Sequence, residues 1–161
     1  SFRNLCVTDE RTMLVLAGKR DMFVQKLEEF AREIGIPAQR IRFVNLPSDA
    51  QLARLYRDAS LVVTPSRIEG FGIPPLEALS LGIPVAASHA TSLPEVLGDA
   101  VRYFDPDDVD ALARLMREAI VNPGAWRDLR EKGIRQAATF SWATTAKQMQ
   151  NIYRTYADRR L

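Results

Sequence analysis

Residues 61–87 read L-V-V-T-P-S-R-I-E-G-F-G-I-P-P-L-E-A-L-S-L-G-I-P-V-A-A. Leu61-Val62-Val63-Thr64 is a short run rich in β-branched residues that Pro65 ends, the mark of a buried strand. A glycine-bearing loop follows, and then a helix from about Pro74 to Leu81. Pro84-Val85-Ala86-Ala87 reads as the next strand. Strand, helix and strand joined so closely form a crossover unit, in which the strands run parallel and the connection is right-handed.

The same alternation extends outward on both sides. Met13-Leu14-Val15-Leu16-Ala17, closed by Gly18, looks like a strand buried on both faces. Phe23, Leu27, Phe30, Ala31 and Ile34 then recur at helical spacing until Gly35-Ile36-Pro37. Ile41-Arg42-Phe43-Val44 is another strand, and Asp49 is placed to cap a helix carrying Leu52, Leu55 and Tyr56. Downstream, a short helix near Leu93 to Leu97 precedes the strand Val101-Arg102-Tyr103-Phe104. Three helices complete the chain, lined by Val109 to Ile120, by Trp126, Leu129 and Ile134, and by Trp142, Ala146, Met149, Ile152 and Tyr156. The last of these stripes reads as a core face. The whole is an α/β fold, a parallel sheet with helices on both faces. Ligands of such sheets lie beyond the carboxyl ends of the strands, so the loops after Gly18, Val44, Thr64, Ala87 and Phe104 are the ones to inspect.

Composition narrows the function. The chain has 161 residues, 47% of them hydrophobic and 26% charged, as expected of one globular domain. Its 22 basic and 20 acidic side chains nearly cancel, and no basic run is interleaved with aromatics, which argues against a nucleic-acid partner. Cys6 and His89 are each alone in their class, so an internal disulfide and a Cys/His zinc site are both excluded. A reducing, cytoplasmic setting follows. No apolar stretch approaches the roughly 20 residues that cross a bilayer. The chain opens on Ser1, and Ser1 to Glu10 reads like the continuation of a longer protein.

The loop Ser66-Arg67-Ile68-Glu69-Gly70-Phe71-Gly72-Ile73-Pro74-Pro75-Leu76-Glu77 carries the chemistry. Gly70 and Gly72 leave backbone N–H groups open to close approach by a ligand, and Pro74 suits the first turn of a helix. That helix start, with its dipole, favours phosphate. Glu69 before the turn and Glu77 after it flank this anion site. A carboxylate accepts hydrogen bonds from the paired hydroxyls of a ribose and repels phosphate, so acids beside the diphosphate make a sensible nucleotide-sugar site. The plainer reading is a glycine turn with two acids near a helix N-terminus. A dinucleotide fingerprint is disfavoured, because Pro75 occupies the place of the third glycine and the loop does not follow the first strand.

Glu69 and Glu77, with seven residues between them in E-G-F-G-I-P-P-L-E-A, resemble the signature of retaining GT-B glycosyltransferases of family four. Asp58-Ala59-Ser60, Gly82-Ile83-Pro84-Val85, Ser92-Leu93-Pro94-Glu95-Val96, Gly98-Asp99-Ala100 and Phe140-Ser141-Trp142 resemble the family in the same order. The resemblance implies the Rossmann-like C-terminal half of a GT-B fold. Residues 1–161 would form one nucleotide-sugar-binding domain, residues 141–161 a helix crossing to an acceptor domain upstream, and that acceptor domain would be absent here. Glu69 would be the catalytic residue, its carboxylate beside the transferred sugar, and Glu77 would bind the ribose. Gly70, Phe71, Gly72, Ile73 and Pro74 would hold the sugar and phosphates, and Val44, Asn45 and Leu46 would lie along the base. The donor implied is GDP-mannose, with UDP- or ADP-glucose as the alternatives, and the acceptor a glycan or lipid-linked sugar. The donor is a substrate, and neither cofactor nor metal is called for. An Arg and a Lys that cradle the diphosphate in the family lie in a segment upstream of Ser1, and neither Lys19 nor Arg20 matches them. Residues 1–161 alone are therefore expected to bind donor weakly and to transfer nothing. A GT-B epimerase or phosphorylase, or a nucleotide-binding domain without chemistry, are the alternatives.

Other polar residues have plainer roles. Ser92-Leu93-Pro94-Glu95 reads as a capping box, with a donor-side role as the lesser alternative. Asp105, Asp107 and Asp108 read as turn and N-cap residues, His89 as an ordinary loop residue, and Cys6 as packing. Arg154, Arg159 and Arg160 form a solvated helix end, with contact to an acidic membrane surface as the alternative.

Overall fold

The computed structural model describes residues 1–157. It opens with a helix not foreseen from the sequence, α1 (Phe2–Thr8), whose Phe2 and Leu5 are buried. Alternating strands and helices follow: β1 (Leu14–Gly18), α2 (Met22–Glu33), β2 (Ile41–Asn45), α3 (Asp49–Asp58), β3 (Val62–Thr64), α4 (Ile73–Ser80), β4 (Val85–Ser88), α5 (Leu93–Leu97) and β5 (Arg102–Phe104). Three helices close the described chain, α6 (Val109–Val121), α7 (Arg127–Ala137) and α8 (Trp142–Ala157).

All strand pairs are parallel, as the crossover pattern requires. They form two ladders, β1-β2 and β3-β4-β5. The central strand β4 is Val-Ala-Ala-Ser, buried at every position, and its side chains alternate between the two faces. Val85 and Ala87 join a core built with Leu79 of α4, Leu93 and Leu97 of α5 and Ala137 of α7. Ala86 points the other way, into a core with Phe2 and Leu5 of α1, Leu112 and Met116 of α6 and Trp126. Leu14 of β1 and Ile41 of β2 pack against this second core. Helices therefore cover both faces, as expected.

Local chemistry sets the boundaries. Gly82, at φ 67, follows α4, with its N–H on Leu79 O at 2.9 Å and the Ile83 N–H on Ala78 O at 3.0 Å. This is a Schellman stop that needs a left-handed residue. Gly35 ends α2 by the same pattern. Ser48, rather than Asp49, caps α3: its hydroxyl accepts from Gln51 N, while the Gln51 side chain accepts from Ser48 N. The hydroxyl sits one residue ahead of the acid, and Gln51 completes the reciprocal pair.

Three apolar stripes are less buried than expected. β1 is half-covered on one face, with Val15 exposed on the other. In α2 only Ala31 is buried, while Phe23, Leu27 and Phe30 remain exposed. No residue of α8 is buried, so its stripe from Trp142 to Tyr156 is not a core face. Periodicity marks an apolar face without saying what covers it. Arg154 lies on this exposed helix, and Arg159 and Arg160 fall outside the described residues.

The contact of α4 with α7 is close enough to make a sequence rule fail. A Cβ built on Gly133 of α7 would stand 2.7 Å from Leu79 Cδ2 and 3.5 Å from Leu79 Cα. Gly to Ala within a helix normally gains about 1 kcal/mol. Here overpacking against the fully buried Leu79 costs about 1–3 kcal/mol, so Gly133→Ala is expected to give a net loss of about 1 kcal/mol. Urea unfolding measures the sign, and a stabilised variant would contradict this packing.

Candidate functional site

The chain leaves β3 at the buried Thr64 and turns beyond the carboxyl end of the strand. Ser88, at the end of the neighbouring β4, donates its hydroxyl to Ser66 O and fixes the root of the loop. Gly72 is the N-cap of α4 at φ 92 and ψ 49, a left-handed conformation. It is packed as well as bent, since a Cβ there would meet Leu93 Cδ2 at 2.7 Å and Glu69 Cγ at 3.8 Å. Glu69 and Gly72 are thus brought together on the N-terminal end of α5.

Pro74 and Pro75 occupy the first turn of α4 and remove two of its N–H donors. The donors left at this corner belong to Gly70, Phe71, Gly72 and Ile73. Among the described residues none of these N–H groups has a protein acceptor. An anion would therefore be held by the loop ahead of the helix more than by the helix start itself. Phe71 stacks edge-on against Phe140, with centroids 5.4 Å apart, which ties the loop to the segment that leads into α8.

Glu77 stands one turn further along α4. The Tyr56 hydroxyl of α3 lies 3.1 Å from its Oε2 and 3.2 Å from Pro74 O. Burial, then the charge of Glu77 and the hydrogen bond to it, raise the Tyr56 pKa well above its ordinary value of 10.0. The phenol therefore stays a donor at neutral pH and holds one carboxylate oxygen; among the described residues the other has no partner. Periodicity assigned Tyr56 to an apolar stripe; its hydrogen bond spans 21 residues and no local spacing announces it.

Glu69 is anchored through its backbone. Its N–H donates to Thr91 Oγ1 at 2.9 Å, and its carbonyl accepts from Thr91 Oγ1 at 3.0 Å and from Ser92 Oγ at 2.8 Å. Ser92 is the N-cap residue of α5 but makes no capping hydrogen bond, so the expected capping box is not formed. Its hydroxyl is spent on Glu69 instead.

The residues expected along the base lie at the end of β2, beside the end of β1. Val44 and Asn45 line a cleft of about 310 Å³ together with Gly18, Lys19 and Arg20, and Leu46 is not among its lining residues. Asn45 Oδ1 accepts from Arg20 N at 2.8 Å, and the Arg20 guanidinium is engaged by Glu28 at 2.8 and 2.9 Å. The Asn45 carbonyl oxygen thus shapes the cleft from within. Leu46 adopts φ 44, with its N–H on Gly18 O, and its side chain is exposed.

The remaining polar residues behave as turn chemistry predicts. Asp105 Oδ1 accepts from Asp107 N and Asp108 Oδ1 from Ala111 N, the turn and N-cap roles read from the sequence. Asp107 also pairs with Arg67, joining the loops after β5 and β3. His89 is exposed and rests edge-on against Tyr103. Cys6 is half-buried against the second core.

The model of the family described as glycosyl transferases group 1 matches residues 1–139. The chain belongs to that family. An O-antigen chain mannosyltransferase B of Escherichia coli is 40% identical over 152 residues, covering 91% of this chain and 38% of that protein. Sucrose-phosphate synthase from Thermosynechococcus elongatus superposes with a TM-score of 0.86 at 26% identity, over 98% of this chain and 42% of that one. The Anabaena protein HepE, solved in complex with UDP and glucose, superposes with a TM-score of 0.83 at 21% identity, over 94% of this chain and 43% of that one. The chain thus spans about two fifths of the length of each. The resemblance to GT-B glycosyltransferases holds for the family and for the fold. Among the described residues no helix is long and apolar enough to cross a membrane.

Proposed function

We propose that this chain is the donor-binding domain of a retaining hexosyltransferase that moves mannose from GDP-mannose to a glycan or lipid-linked acceptor in the cytoplasm. The observation that carries the reading is the acid-flanked corner after β3, where the N–H groups of Gly70 to Ile73, unpaired among the described residues, lie between Glu69 and the Tyr56-held Glu77. Departure of the leaving group builds negative charge on the diphosphate, and fixed N–H donors stabilise that charge without reorganising. Glu69, beside the sugar, would stabilise positive charge developing on the ring. Glu77 would accept from the ribose hydroxyls with the oxygen that Tyr56 leaves open. The choice of mannose draws on the mannosyltransferase relative, and nucleotide-sugar binding draws on HepE, which was solved with UDP and glucose.

Calorimetric titration of the full-length protein with GDP-mannose, UDP-glucose and ADP-glucose tests both parts. GDP-mannose is expected to bind tightest. Glu77→Ala is expected to weaken it by roughly tenfold to a hundredfold, the equivalent of a charged hydrogen bond worth about 1.5–3 kcal/mol. Binding of all three donors unchanged by Glu77→Ala would remove the ribose role. Tighter binding of a UDP or ADP sugar would remove the mannose assignment and leave the rest standing.

A further inference from the structure

We propose that Thr91, in the turn between β4 and α5, is a positioning residue that fixes Glu69 for sugar transfer; this rests on the role given to Glu69 above. Thr91 adopts φ 46. A β-branched residue rarely takes a left-handed conformation, because its Cβ crowds the following carbonyl. Glycine would sit there without strain. What the threonine supplies is a hydroxyl in one particular place. Its Oγ1 bridges the N–H and the carbonyl of Glu69 at 2.9 and 3.0 Å, and Ser92 Oγ adds a second donor to the same carbonyl at 2.8 Å.

The acid is therefore held by both of its backbone groups on a loop that belongs to a different strand. The neighbouring Gly70 to Ile73 have no such anchor through their N–H groups among the described residues. The grip is also directional. Ser88 holds the loop root at Ser66, Leu93 packs under Gly72, and Thr91 acts between these points, at the residue whose carboxylate is proposed to face the sugar. Thr91 is exposed, and its side chain belongs to neither core. A purely structural need would be met better by glycine. The hydroxyl bridge to Glu69 is what glycine would lose.

Steady-state kinetics of the full-length protein with GDP-mannose and its acceptor test this. Thr91→Gly, which relieves the strained φ and deletes the hydroxyl, is expected to lower kcat by roughly tenfold to a hundredfold, the effect of misplacing a reacting group. The donor KM should stay within about twofold and the melting temperature should not fall. Thr91→Ser keeps the bridge and is expected to retain kcat within about threefold of the native enzyme. In a Glu69→Gln background, Thr91→Gly should cause no further loss, since the two act as a unit. Should Thr91→Gly fail to fold, Thr91→Ala makes the same comparison. Native kcat in the glycine variant, a serine variant as impaired as the glycine one, or an undiminished loss in the Glu69→Gln background would each overturn the proposal. Native turnover by Glu69→Gln alone would overturn the role of Glu69 and this inference together. An impaired Glu69→Gln beside an unaffected Thr91→Gly would remove only this inference.

Discussion

Glu69→Gln in the full-length protein is expected to lower turnover by about 10²–10³-fold while leaving the donor dissociation constant within a few fold. The magnitude is that of removing one fixed electrostatic group from a site of charge development, roughly 3–4 kcal/mol of transition-state stabilisation. Glutamine keeps the shape and removes the charge. The three hydrogen bonds that hold this residue all go to its backbone, so the loop stays in place in the variant. The loss should therefore appear in kcat and not in melting temperature. It should also differ in kind from the effect of Glu77→Ala, where the ground-state grip on the ribose is lost and the dissociation constant moves. A pre-steady-state measurement with saturating donor separates the two. If Glu69→Gln weakened binding and left the rate alone, the two acids would have to exchange roles.

Much of this arrangement could be read from residue order, and what could not has a physical reason. The crossover from β3 through α4 to β4 was legible because Pro65 and Pro74 act on their own backbone: each forbids or permits a conformation whatever packs around it. The position of Glu69 at a strand end followed from the same local logic. Burial was not local in this way. Phe23, Leu27 and Phe30 recur at helical spacing, yet they stay exposed in α2, as does the whole of α8. An apolar stripe records that a face is made to be covered, and the covering element need not be nearby in the chain. Hydrogen bonds between distant side chains were invisible for the same reason. Ser92 satisfied every local rule for a capping residue, and the structure gives its hydroxyl to Glu69 instead, 23 positions away. Tyr56 fitted a packing stripe and serves Glu77. None of the hydrogen bonds that define the site could be read in advance.

The two glycines of the loop make the sharpest case, because by sequence they were equivalent. From sequence, each leaves backbone bare for a ligand. At Gly70 a Cβ would meet nothing within 4 Å, and its φ is not in the left-handed range. Gly72 differs. At φ 92 an alanine incurs about 1–2 kcal/mol of backbone strain. Its methyl would also reach within 2.7 Å of Leu93 Cδ2, on a side chain that is 0% exposed and has no free space to move into. Overpacking of that kind costs about 1–3 kcal/mol, so Gly72→Ala should destabilise the domain by about 2–5 kcal/mol in all. For a domain of this size the melting temperature would fall by about 4–20 °C. Part of the strain can be relieved by lifting the loop off α5, which would carry Glu69 with it and weaken donor binding as well. Gly70→Ala is expected to melt like the native protein and to weaken only donor binding, through its methyl on the surface proposed to face the donor. Melting curves and titrations of the two variants side by side separate a glycine needed by the fold from one needed by the ligand. If Gly72→Ala melted at the native temperature, or Gly70→Ala fell as far, the packing of this corner onto Leu93 would be wrong, and with it the platform on which Glu69 is held.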